Sequence, residues 1–183
     1  MKKRILVFSL LALCLSLCIG GTLAYFTANG TARNVITAGN IKIDLIETDA
    51  EGNPFENVSG VTPGAEVDKV VTVKNTGDNP CYVRISVDKE IQLAEGKSGE
   101  VDLSLIDIDF DTENWTLQDG FYYYNVVLEP NETTEPLFTT VTFNTDMDNL
   151  YAGCSANVMV CAQAVQCANN GGSVFEANGW PSK

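Results

Sequence analysis

The sequence predicts an all-β fold, a jelly-roll-like antiparallel β-sandwich. Hydrophobic residues recur with period two, turn residues punctuate the chain at short intervals, and no stretch has the caps and period of a long helix. Ile41, Ile43 and Leu45 alternate with Lys42, Asp44 and Ile46 as a first confident strand, and Val67, Val71 and Val73 frame a second. A third runs from Cys81 to Val87, with Val83, Ile85 and Val87 on one face and Arg84 and Ser86 on the other. The turn-rich stretch Asn75 to Pro80 between the last two reads as a hairpin connection. Val101 to Phe110 alternates as a further strand, and Trp115 to Leu117 and Phe121 to Leu128 flank Gln118-Asp119-Gly120 as a second hairpin. Thr139 to Phe143 and Ala156 to Val165 complete the set, with long loops at Asp49 to Ser59 and Glu129 to Pro136 and a single turn near Ser173 to Ala177. In the last strand Ala156, Val158, Val160, Ala162 and Ala164 form an apolar face that should pack under bulkier residues of a facing sheet, turning Cys161 away from that core.

The first residues have a different character. Lys2, Lys3 and Arg4 precede an apolar run from Ile5 to Ile19 and the small residues Gly20 to Ala24, the three regions of a secretory signal peptide. Thr22 and Ala24 place small side chains where a signal peptidase needs them, so cleavage is expected between Ala24 and Tyr25, leaving residues 25–183 as one sandwich domain. Three of the eleven Lys and Arg lie in the signal, so the exported part carries eight basic against 24 acidic residues. That balance argues against nucleic acid or an anionic membrane surface as a partner.

Four cysteines remain after cleavage, Cys81, Cys154, Cys161 and Cys167, in a chain bound for an extracellular space where disulfides are possible. The spacing leaves the connectivity open, and thiols remain an alternative. It excludes only Cys161 with Cys167 on a shared strand, where six residues at ~3.3 Å separate them by far more than a disulfide spans. Histidine is absent, which removes triads with a His base and most catalytic zinc sites. No catalytic residue, metal ligand or cofactor is expected. Asp107, Asp109, Asp111 and Glu113 would share one side of an extended segment. Thr112 and Gln118 stand where a calcium loop of the EF-hand type needs Gly and Glu, and a charged strand edge is the preferred reading.

Gly20-Gly21-Thr22-Leu23-Ala24-Tyr25-Phe26-Thr27, then Asn34 to Ile43, resemble the start of proteins of the TasA/camelysin family of Gram-positive bacteria. Val73 to Gly77, Leu128 to Phe138 and Ala162 to Gln166 extend the resemblance over nearly the whole chain. It implies a jelly-roll sandwich, export through a SipW-type signal peptidase, and a place in a biofilm matrix or on the cell surface. It also implies a fibre subunit that joins copies of itself, or related exported subunits, by lending an N-terminal strand. The donor would be Tyr25 to about Ala38, carrying Tyr25, Phe26, Val35 and Ile36. The alternative is that this segment folds back as an edge strand of its own domain. Competing functions are a metal-dependent peptidase of the camelysin type, for which the absence of His leaves no ordinary zinc triad, and a monomeric adhesin or ligand-binding module.

Overall fold

The computed structural model describes residues 26–37, 41–56 and 58–181. The expected signal peptide and its cleavage residues Thr22, Ala24 and Tyr25 lie outside them. Among the described residues there are ten strands: β1 (Phe26–Thr37), β2 (Ile43–Thr48), β3 (Val58–Val61), β4 (Glu66–Asn75), β5 (Cys81–Gln92), β6 (Ile106–Ile108), β7 (Trp115–Gln118), β8 (Phe121–Tyr124), β9 (Phe138–Phe143) and β10 (Ser155–Gln166). They form a larger sheet in the order β3-β1-β10-β5-β8-β7 and a smaller one in the order β2-β4-β9-β6. All pairings are antiparallel except that of β1 with β10, which is parallel, a departure from the wholly antiparallel sandwich expected.

The period-two rows make the core. Ile43 and Leu45 of β2, Val67, Val71 and Val73 of β4, and Phe138, Val141 and Phe143 of β9 face Val83 and Ile85 of β5 and the row Ala156 to Ala164 of β10. The small alanines of β10 let the bulkier facing residues interdigitate, as the sequence predicts.

Asn75 to Pro80 is not a hairpin. It carries the chain from β4 in the smaller sheet to β5 in the larger. Asn75 is fully buried at this crossing: its Nδ2 donates to the carbonyls of Asn79 (2.9 Å) and Leu128 (3.0 Å), and its Oδ1 accepts from the Gly77 amide (3.0 Å). Turn residues mark a reversal but not whether the next strand pairs with the last or crosses over. Val101 to Phe110 is likewise not one strand. Asp102 accepts from the Ser104 amide and hydroxyl and opens a 3-10 turn, Leu103–Leu105, before the short β6, a local alternative that outcompetes a ladder. The hairpin at Gln118-Asp119-Gly120 is present, with φ of 51° at Asp119 and 78° at Gly120, the left-handed pair a two-residue turn requires. Its second strand ends at Tyr124 rather than Leu128, which instead bridges Cys81.

Beyond β10 the chain folds back over the outer face of the larger sheet and builds a second, separate cluster of Tyr82, Tyr123, Val165 and Val174. Arg84 anchors it. Its guanidinium lies 3.8 Å from the Phe121 ring centre and 4.5 Å from that of Trp180. It donates to Gln163 Oε1 (2.8 Å), Tyr123 Oη (3.1 Å) and the Pro181 carbonyl (3.4 Å). Asn170 and Asn178 close the segment by two mutual bonds of 2.8 and 3.0 Å. At Gly171, with φ of 80°, a Cβ would meet Glu176 at 2.9 Å.

Candidate strand-addition site

The expected donor segment is neither detached nor an edge strand. β1 lies between β10 and β3, Thr27 opposite Ser155 through Thr31 opposite Met159, then, after an irregularity, Asn34 opposite Cys161 through Thr37 opposite Ala164. On its other side Phe26, Thr27 and Ala28 pair with Val61, Ser59 and Val58 of β3. β1 therefore covers an edge of β10 that would otherwise run twelve residues unpaired, the kind of edge that recruits another strand. Of the residues named for the donor, Val35 is half-buried against the core, Ile36 is 37% exposed, Phe26 opens the strand, and Tyr25 lies outside the described residues.

The core-facing row of β4, packed against β10, holds a feature that the apolar pattern did not reveal. Lys69 occupies the inward row of β4 between Val67 and Val71 and is 2% exposed. Its Nζ lies 3.0 Å from Glu47 Oε1 and 4.4 Å from the centre of the Phe55 ring. The pair meets the distance of an ion pair without the alignment of a hydrogen bond, so both atoms lack a hydrogen-bond partner among the described residues. Lys69 and Phe55 close a cavity of about 10 Å³ with Val67, Val141, Phe143, Ala156 and Val158, at the lower limit for one water. The sequence signal was the break itself, a lysine on an otherwise apolar row.

The other predicted residues do not converge. The structure carries all four cysteines as thiols, and Cys154 and Cys167 flank opposite ends of β10. Cys81 pairs with Gln166, which makes Cys167 its nearest cysteine along the ladder. Burial, with the Cys167 and Glu129 charges adding to it, pushes the Cys81 thiol up to about 12, and burial pushes Cys154 up to about 11. Cys161 lies opposite Ser86 on the outer face, turned from the main core as the alternation predicts. The acidic run does not share one extended face. Asp109 accepts from the Thr139 and Thr140 amides (2.9 and 2.7 Å), while Asp111 caps the next turn and is held below the usual carboxylate range, chiefly by its bond to the Asn114 side chain. Among the described residues no group of three or more Cys, Asp or Glu is placed to hold a metal ion. Nor is any helix among them long and apolar enough to cross a membrane.

A two-sheet sandwich whose first described strand fills a slot beside its last is the class of protein that this geometry defines. A family model described as "Camelysin metallo-endopeptidase" matches residues 1–160, and the chain belongs to that TasA/camelysin family. No curated protein and no solved structure matches it.

Proposed function

We propose that the protein is an exported structural subunit of a cell-surface or matrix fibre, and that it self-associates by exchanging β1 between copies. The observation that carries this reading is the place of β1. It completes the larger sheet through backbone bonds to β10 and β3, so the slot can be filled by the same segment of another copy. Cleavage after Ala24 would leave β1 at the start of the exported chain, where it can leave one slot and enter another without threading. A head-to-tail exchange of this kind grows filaments unless it closes into a ring. Electron microscopy of purified residues 25–183, with and without Tyr25 to Ala38, tests it. Filaments are expected from the intact chain only, and an intact chain that stays monomeric at high concentration sinks the proposal. N-terminal sequencing of secreted protein should start at Tyr25; any other start overturns the cleavage site.

We also propose that the chain is not a peptidase, whatever the family description says. The support is chemical: a sequence without histidine lacks the usual zinc ligands and base. Casein cleavage by the purified protein that a chelator abolishes and zinc restores would refute this.

A further inference from the structure

We propose that Glu47 and Lys69 are a modification site at which the folded chain closes an amide between the two side chains and so staples β2 to β4. The proposal stands on the geometry and surroundings of this pair and does not depend on strand exchange.

The register brings the two groups together. Glu47 pairs with Val71 across the β2–β4 ladder, and Lys69 lies two positions before Val71 on the same inward row, so the side chains are diagonal neighbours on one sheet face. Lys69 Nζ lies 3.0 Å from Glu47 Oε1, and neither atom has a hydrogen-bond partner among the described residues to fix its direction. The carboxyl carbon is one bond beyond that oxygen, so a small rotation of the carboxyl group brings carbon and nitrogen to the ~3–3.5 Å of a near-attack arrangement. Around the amine stand Phe55, Val67, Val141, Phe143, Ala156 and Val158, all apolar, with the Phe55 ring centre 4.4 Å from Nζ. Two ions are costly to bury in such a place, and a neutral amide is far less so. Condensation of a free carboxylate with a free ammonium is unfavourable in water. Here it is favoured twice, by the removal of two buried charges and by an effective concentration on the order of 10⁵ M or more for groups held in place.

The step balances within the pair. One proton passes from Nζ to the carboxylate, the freed nitrogen lone pair attacks Cδ, and a Cδ–Nζ bond forms as one Cδ–O bond breaks. The oxygen leaves as water with two of the three ammonium protons, and the third stays on the amide nitrogen. The cavity of about 10 Å³ beside Lys69 is room for that one water. Unlike a disulfide among the four thiols, the bond forms without an oxidant and survives a reductant. It closes residues 47–69, the segment that carries Phe55 and β3, and so ties the strand that flanks β1 to the smaller sheet.

Mass spectrometry of folded residues 25–183, aged for several days, reads the bond directly. The intact protein should be lighter than its sequence by one water, with or without reductant. Trypsin cuts a denatured chain after Lys42, Lys69 and Lys74, and the amide blocks the middle site, so residues 43–74 should appear as one peptide lighter by one water. Lys69→Arg, which keeps a cation facing Glu47 but cannot form this amide, should have its full sequence mass and be cut after position 69. Should that variant fail to fold, Glu47→Leu/Lys69→Met, an apolar pair of similar volume, supplies the same control. Full sequence mass and cleavage after Lys69 in the aged wild type overturn the proposal. A loss of water that persists in the control variant also overturns it, because the dehydration then lies elsewhere in the chain.

Discussion

Arg84→Ala should release the C-terminal segment 167–181 from the outer sheet face while leaving the sandwich folded. The side chain makes two hydrogen bonds of 2.8 and 3.1 Å, a longer one of 3.4 Å, and close contacts with the Phe121 and Trp180 rings. Of these only the Pro181 bond and the Trp180 contact reach the segment, and taking ~1 kcal/mol for the bond and ~0.5 kcal/mol for the ring contact gives about 1.5 kcal/mol. At 1.4 kcal/mol per decade that is on the order of tenfold in the opening equilibrium. The loss should fall on this segment because its cluster of Tyr82, Tyr123, Val165 and Val174 is separate from the main core. Hydrogen exchange followed by mass spectrometry reads it directly. The amides of Glu176 and Asn178, bonded to Ser173 O and Asn170 Oδ1, should exchange about tenfold faster, while the β5 and β10 ladders keep their protection. Unchanged exchange in 168–181, or an equal rise in β5 and β10, would refute the reasoning.

Asn75→Ala removes three side-chain bonds at the buried crossing between the sheets and leaves the Leu128 carbonyl with the Cys81 amide as its remaining backbone donor. A loss of about 2–4 kcal/mol is expected, seen as a fall of roughly 10 °C in melting temperature; a shift under about 2 °C would show that the crossing holds without it. Stability should also decline in alkali. The Cys81 thiol is raised from 9.0 to about 12 and that of Cys154 to about 11, so the folded state keeps protons that the unfolded chain sheds. Their contribution is full below pH 9 and is lost as pH rises from 9 through the folded values. Urea midpoints measured from pH 7 to 11 should fall more steeply for wild type than for Cys81→Ala/Cys154→Ala, and parallel curves would contradict the assignment.

Much of the sandwich was legible because period-two burial is a local property. Ile43 and Leu45, Val83 and Ile85, and the five-residue row from Ala156 to Ala164 each announced an inward face that the packed core confirms. The Asp119-Gly120 turn was equally local, since both residues need positive φ. Where the expectation failed, competing bonds decided. Asp102 drew the chain into a 3-10 turn, and Asp109 and Asp111 spent their carboxylates on neighbouring amides rather than on a shared acidic face.

The sequence by itself determined the class of fold, the rows that form the core, the family to which the chain belongs and the absence of histidine chemistry, because each follows from residue type and spacing along the chain. Only the tertiary structure decided that Asn75 to Pro80 crosses between sheets, that β1 runs parallel to β10 inside the larger sheet, that Arg84 anchors the C-terminal segment, and that Lys69 meets Glu47. These are contacts between residues distant in sequence, and a lysine on an apolar row reads as an error of pattern until the fold brings its carboxylate to it.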